Sequence, residues 1–339
     1  MSNIITTDPH ILNYVNENNF AEAARTLLKS QKTSWKQLSD GYDSLKNVKT
    51  KSFPFKGFEI KVQHNSKRII SSSAKVDSES IKQRNCFLCK KNLPGEQKGI
   101  LYNSEYYILG NPFPIFPEHF TISHVRHIPQ EIKYSFHYLL MLAKDLSKYY
   151  TVFYNGPGCG ASAPDHLHFQ AGTKNYMPVD LEFNQLKKQY GEILFAQENL
   201  TITFIDDGLR RFLSFESNTI EILESSFEIF YKIYSEVSPS IVEPMMNILV
   251  FYENDSAWRI LVFLREKHRP SFFYEKEGKN FLWSPAAVDL GGICIIPREE
   301  DFQKISRDII VTGFNQITIS GDKFLLIKEK LKQNINVKY

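Results

Sequence analysis

Asn155-Gly156-Pro157-Gly158-Cys159-Gly160-Ala161-Ser162-Ala163-Pro164-Asp165-His166-Leu167-His168-Phe169-Gln170 runs a glycine-rich turn into a stretch where polar and apolar side chains alternate. A period of two predicts a β-strand from His166 to Ala171. It sets His166, His168 and Gln170 on one face and turns Leu167, Phe169 and Ala171 to the core. A neutral imidazole is a competent nucleophile toward phosphorus near neutral pH, and a second His two residues away orients it or binds metal. A His-x-His pair alone is common on protein surfaces; the preceding loop, with several exposed backbone N–H groups suited to phosphate oxygens, gives this one chemical meaning. The loop matches neither the GxxxxGK[ST] nor the GxGxxG fingerprint.

Outward from this stretch, short runs rich in Ile, Val, Phe and Tyr are broken by Gly, Pro and Asn turns, which predicts strands at 58–63, 100–109, 119–123 and 151–154. A helix is expected from about Gln130 to Tyr150, with Ile132, Phe136, Leu139, Leu140, Ala143 and Leu146 on one face. A second series predicts strands at 200–205, 211–215, 247–253, 258–265 and 292–296, and helices at 221–235, 299–306 and 321–331. The order is α+β, and both series combine strands with a long helix, as in a degenerate repeat of one unit. Before them, Pro9 to about Lys46 reads as helical, started by Asp8-Pro9, and is expected to be a packing appendage. The expected divisions are 1–55 (helical appendage), 56–190 (catalytic half) and 191–339 (second half).

With 339 residues, 42% hydrophobic and 23% charged, the composition is that of an ordinary globular protein. A net charge of +3 over 41 basic and 38 acidic residues offers no footprint for wrapping nucleic acid, but it leaves small anionic ligands open. No apolar run approaches the roughly 18 residues of a membrane span, and Met1 to His10 lacks a secretory pattern. The expected location is therefore cytoplasmic. Four cysteines are too few for a disulfide framework, and the close pair Cys86 and Cys89 points to metal or redox chemistry.

Two segments together resemble the histidine triad (HIT-like) superfamily in its nucleotidyltransferase and phosphorylase branch. The run from Asn155 through Gly160-Ala161-Ser162 to Gln170 is similar to that branch's signature, which ends in Gln where the hydrolase branch has a third His. Asn111-Pro112 through His119-Phe120-Thr121-Ile122-Ser123 to Arg126-His127-Ile128 is similar to the upstream strand, which ends in a His before the long helix. Cys86-Phe87-Leu88-Cys89 sits where the galactose-1-phosphate uridylyltransferases carry zinc cysteines. The resemblance then implies His127 and His166 as the remaining ligands, with His124 in reserve. Asn247-Ile248-Leu249-Val250 and the run from Gly291 to Asp301 look like the second half of the GDP-hexose phosphorylases. The likeness is clearest over 84–172, looser over 245–302, and covers nothing before about residue 60. Ser162 lies four residues before His166, where the family usually has three, which puts the role of Ser162 in doubt.

The resemblance implies a HIT-like antiparallel sheet with flanking helices, in two degenerate halves, and a nucleotidyl-transferring enzyme. His168 would attack the α-phosphorus of a nucleotide sugar and expel hexose 1-phosphate, and phosphate or a sugar phosphate would then take the nucleotidyl group. Gln170 would donate to a phosphoryl oxygen in place of an acid His, with Ser162 as the third catalytic candidate. Asn111, Asn155, Gly160 and Arg68 are the expected nucleotide-binding residues; Asn111 reads equally well as a turn residue before Pro112. Lys75, Arg84 and the run Arg265 to Arg269 are cations for a pyrophosphate or solvated charge, and His10, His64, His119, His137 and His268 read as ordinary. Zinc held by Cys86, Cys89, His127 and His166 would be four-coordinate, closed and structural. The alternatives are a diadenosine polyphosphate phosphorylase or hydrolase and, in another class, a non-catalytic zinc-stabilised nucleotide-binding protein. An internal repeat either replaces a homodimer or builds one.

Overall fold

The computed structural model describes residues 4–69, 76–197, 199–253, 257–276 and 278–338. Its strands are β1 (Lys49–Phe55), β2 (Phe58–His64), β3 (Gly99–Tyr102), β4 (Tyr106–Gly110), β5 (His119–His124), β6 (Tyr150–Asn155), β7 (His168–Thr173), β8 (Gly191–Gln197), β9 (Leu200–Asp206), β10 (Arg211–Ser217), β11 (Met246–Glu253), β12 (Ala257–Leu264) and β13 (Ile293–Ile296). The helices are α1 (Pro9–Asn16), α2 (Phe20–Ser34), α3 (Lys36–Ser44), α4 (Ser78–Gln83), α5 (Phe136–Asp145), α6 (Pro178–Tyr190), α7 (Ile220–Val237), α8 (Ala287–Leu290), α9 (Glu299–Lys304), α10 (Arg307–Ile317) and α11 (Gly321–Lys338).

Ten strands form one antiparallel sheet in the order β3-β4-β5-β7-β6-β11-β12-β10-β9-β8. Counted inward from either edge, each five-strand unit runs first, second, third, fifth, fourth, with a long helix (α5 or α7) between its third and fourth strands. The repeat suspected from sequence is therefore present as topology. The units join along their fourth strands, where Asn155 of β6 pairs with Asn247 of β11. In the second unit the counterpart of β7 is β12, Ala257 to Leu264, which carries no histidine.

Strand alternation covers both sheet faces. Ile248 and Val250 of β11 and Ile260 and Val262 of β12 pack with α2, α5, α7 and α11, while Leu249, Leu261 and Phe263 enter a second core with α6, α8 and α10. Phe120, Ile122, Leu167, Phe169 and Ala171 join the first core. The opposite face is thus left to both His168 and Gln170, as the period requires.

Several expectations change. The run 100–109 is a hairpin, β3–β4, which reverses at Asn103 and Ser104 with φ of 46° and 59°. Strand β13 leaves the large sheet and pairs in parallel with β2, which also pairs with β1, so residues of all three expected divisions share a small sheet. The helical stretch begun by Asp8 breaks at Asn18 (φ 55°) and again at the extended Trp35, and within 1–55 residues 49–55 are a strand. Helix α5 spans only Phe136–Asp145, not 130–150, because Gln130 is wholly buried and spends its amide on neighbouring strands. Strands β1 and β8 and helices α4, α6, α8 and α10 were not foreseen.

Candidate active site

Strand β7 starts at His168, so His166 lies on the bend before it and not on a shared strand face. The Gln130 side chain clamps this start: Oε1 accepts from His168 N at 2.7 Å, and Nε2 donates to His168 O at 3.0 Å and to Asn155 O at 2.9 Å. His168 Nδ1 is 2.8 Å from the His166 carbonyl. A carbonyl only accepts, so Nδ1 carries the proton and Nε2 keeps a lone pair. Burial pulls the His168 imidazolium down to about 4, with the His166 carbonyl opposing in part. At neutral pH the ring is uncharged.

His168 opens on a cavity of about 680 Å³ whose walls also include Gln170, Ser162 and Gly160 from its own strand and loop, and Asn155, Asn111 and Arg68. The catalytic and nucleotide-binding candidates of the sequence thus come together in one space. Gly160 has a φ of 93°, and a Cβ there would come within 2.6 Å of the Ala286 Cβ, so glycine brings the loop against the second unit. Asn111 makes its turn, Oδ1 accepting from Phe113 N at 2.9 Å, and also faces the cavity, with Nδ2 donating to Thr121 Oγ1 at 3.1 Å. Arg68 donates to Phe113 O at 2.9 Å, while its buried Nε has no partner among the described residues. Burial lowers Arg68 to about 10, against the attraction of Asp289, and leaves it cationic. Arg84 also lines the cavity; Nη2 meets Asp165 at 2.5 Å, and its buried Nη1 is without a partner among the described residues. Lys75 lies outside the described residues.

Other contributors escaped the sequence reading. Trp35 and Gln37, from the expected packing appendage, line the cavity, as do Ser284 and Asp289 of the second half. His119, read as an ordinary packing residue, is fully buried with Nε2 3.0 Å from Gln170 Oε1. Strand period alone places His119, Thr121 and Ser123 on one face. The β5–β7 register, which tertiary structure decides, then sets Thr121 opposite Gln170, Ser123 opposite His168 and His119 opposite Gly172, one step beyond Gln170 along the same face. By contrast, His64 pairs with Glu299 at 3.2 Å and His137 with Glu224 at 2.8 Å, and neither lines the cavity. Arg265, expected in an anion site or a solvated hairpin end, is fully buried.

Beside the cavity, Cys86, Cys89, His127 and His166 present ligand atoms that all lie within 4.8 Å of one another, a group able to hold a metal ion. His166 Nε2 is 2.8 Å from the His124 carbonyl, which fixes the proton there and turns the Nδ1 lone pair to Cys86 Sγ at 3.3 Å and Cys89 Sγ at 3.6 Å. His127 Nδ1 lies 3.2 Å from Cys89 Sγ, and its Nε2 faces Asp165 at 3.8 Å. His124, the reserve ligand, is turned away, with Nε2 on Glu105 at 3.0 Å. Two sulfurs and two imidazole nitrogens fit a four-coordinate N/S ion.

The architecture is similar to that of the yeast Ap4A phosphorylase Apa2, solved in complex with Ap4A. The two align with a TM-score of 0.53 and 13% identity over 86% of this chain and 97% of that one. Residues 197–338 match the family described as the GDPGP1-like C-terminal domain. The likeness to the yeast enzyme is one of fold, a large antiparallel sheet with flanking helices. Residues 27–173 match the family described as a domain of unknown function, DUF4922. A DUF4931 family protein from Bacillus cereus ATCC 10987 aligns with a TM-score of 0.39 and 14% identity, over 70% of this chain and 99% of that one. No curated protein matches the chain. No helix among the described residues is long and apolar enough to cross a membrane.

Proposed function

We propose that this chain transfers nucleotidyl groups through a covalent nucleotidyl-His168 intermediate, acting on a nucleotide sugar with phosphate or a sugar phosphate as acceptor. The observation that carries this reading is the neutral His168 ring, with Nδ1 tied to the His166 carbonyl and the Nε2 lone pair available beside the amides of Asn155 and Gln170. Nε2 forms the N–P bond while the bond from α-phosphorus to the leaving phosphate oxygen breaks and that oxygen keeps the electron pair. The phosphorylated ring is cationic, and the His166 carbonyl stabilises it through Nδ1–H. An oxygen of the acceptor then attacks phosphorus, and the N–P bond breaks to regenerate neutral His168. The leaving phosphate is a weak base that needs little protonation, so an amide at Gln170 can replace an acid His.

Arg68 and Arg84, each with a buried N–H lacking a partner among the described residues, suit the remaining phosphate charge. Asn111 and Trp35, both in the cavity wall, suit the nucleoside. Zinc on the Cys86–Cys89–His127–His166 group would hold the bend before β7 and take no part in bond making. On this reading 56–190 is the catalytic half and 191–339 supports it. A second reading, phosphorolysis of a dinucleoside polyphosphate, is favoured by the likeness over nearly the full length of the yeast Ap4A phosphorylase.

The test is incubation with α-labelled GDP-hexose, UDP-hexose and Ap4A, an alkaline quench that preserves a phosphoramidate, and mapping of the label. Label on His168, absent from His168→Ala with metal content intact, is expected. Label elsewhere, or a His168→Ala variant with near-normal turnover, would overturn the reading. The labelled substrate separates sugar nucleotide from dinucleotide.

A further inference from the structure

We infer that Asn247 and Arg265, both from the second half, are positioning residues that hold the Asn155 amide with its NH2 group toward a phosphate bound at His168. This role rests on the proposed nucleotide site for what the NH2 meets; the direction of the amide follows from donor-only groups. A guanidinium can only donate. Arg265 Nη1 is 2.7 Å from the Asn247 side-chain oxygen, which must therefore be the acceptor end. Asn247 then turns Nδ2 outward, 2.7 Å from Asn155 Oδ1 and 2.7 Å from the Cys159 carbonyl of the glycine loop. The backbone N–H of Ala287, another obligate donor, reaches the same Asn155 oxygen at 2.8 Å. With its oxygen held by two donors, Asn155 has only its NH2 left for the cavity.

The cost of the arrangement marks it as more than packing. Arg265 and Asn247 are fully buried and Asn155 is 5% exposed. The other partners of the Arg265 guanidinium are the carbonyls of Pro285 at 3.0 Å, Lys267 at 3.0 Å and His268 at 2.7 Å; none is a carboxylate, and Nε has no partner among the described residues. Burying a guanidinium whose hydrogen-bond partners are all neutral, with the Asp289 carboxyl attracting it only from beyond hydrogen-bond reach, is expensive, and a neutral side chain would fill the space more cheaply. A neutral amide at 265 could present oxygen or nitrogen to Asn247 and would leave the orientation of the two asparagines to the Cys159 carbonyl and the Ala287 N–H alone. The donor-only guanidinium at one end, with the Cys159 carbonyl and the Ala287 N–H along the way, gives every bond of the chain one direction. The second unit, with no histidine on β12, thus acts on the site of the first through the one strand pair that joins them in the large sheet.

Asn247→Asp in the full-length protein tests the relay: the carboxylate keeps its bond to Arg265 and loses the donor, so Asn155 rotates and offers oxygen to the phosphate. The expected result is a loss in kcat of roughly a hundredfold, the scale for losing one preorganised donor, together with weaker AMP binding by calorimetry. In an Asn155→Ala background the same change is expected to alter either readout less than about threefold, since residues acting through one another are not additive. Multiplicative losses in the double variant, or an Asn247→Asp protein with wild-type kcat and AMP affinity, would overturn the relay while leaving the nucleotidyl-transfer reading intact. A wild-type protein that neither binds AMP nor turns over a nucleotide would overturn both. If Asn247→Asp does not fold, Arg265→Gln makes a milder form of the same comparison, because it removes the donor-only end and leaves the Cys159 carbonyl alone to orient Asn247. A smaller loss in kcat and AMP affinity is then expected, and an unchanged protein would overturn the relay.

Discussion

His119 of β5 and Gln170 of β7 share a 3.0 Å hydrogen bond whose direction is set by a third group, the backbone N–H of Ile115, 3.2 Å from His119 Nδ1. That N–H can only donate, so Nδ1 is the bare nitrogen and Nε2–H donates to Gln170 Oε1. Burial, with Arg68 nearby, pulls the His119 imidazolium down to about 3 and keeps the ring neutral. The Gln170 NH2 is then the end free to meet a phosphoryl oxygen. His119→Phe is expected to lower kcat roughly tenfold or more, with metal content unchanged and His119→Gln restoring part of the loss. Equal activity of the Phe variant and wild type in steady-state assays would remove His119 from this role.

Product release should depend on the acceptor. With a neutral amide at 170, turnover is expected to be slow in water alone and rapid when phosphate or a sugar 1-phosphate is added. Gln170→His introduces a proton-transferring ring and is expected to raise the hydrolytic fraction of product. Product analysis by chromatography with and without phosphate checks both; fast, phosphate-independent turnover of the wild type would count against transfer.

One zinc per chain is expected by elemental analysis of protein purified without added metal, and chelation is expected to lower Tm. Cys86→Ser should reduce folding yield more than it alters substrate preference, because the ion would orient the bend before β7 and touch no reacting atom. Metal-free protein with an unchanged Tm after chelation would dismiss the site.

Glu243 predicts a pH dependence of stability. Burial, with Glu131 adding to it, raises its carboxyl from 4.5 to about 8, against the bonds it accepts from Tyr154 and Ile132. The folded state therefore holds this proton more tightly than the unfolded state, and the contribution, complete below 4.5, is lost as pH rises through about 8. Glu243→Gln, neutral throughout, should flatten that part of the profile in thermal or denaturant unfolding. An unchanged slope would show that the proton is not linked to folding.

His127 and His166 were joined to the cysteines only by the family resemblance, whereas the proposed nucleophile, its amide partner, the glycine loop and the pair Cys86 and Cys89 were legible in the chain itself. Each is a local pattern: a period of two sets His168 and Gln170 on one face, and close spacing names Cys86 and Cys89. Local pattern failed where backbone groups found distant partners. The run 130–135 has helical periodicity, yet Gln130 bonds to strand atoms 25 and 38 residues away and the helix begins later.

By itself, then, the sequence determined which residue types can do chemistry here and on which strand face they lie, because strand period and residue identity are properties of neighbours along the chain. The tertiary structure alone decided which way the site amides point, that Trp35 enters the cavity and that Arg265 is buried. Hydrogen-bond polarity depends on which donor is brought to which acceptor. The Asn155–Asn247 contact spans 92 positions and His119–Gln170 spans 51, so no local spacing could announce them.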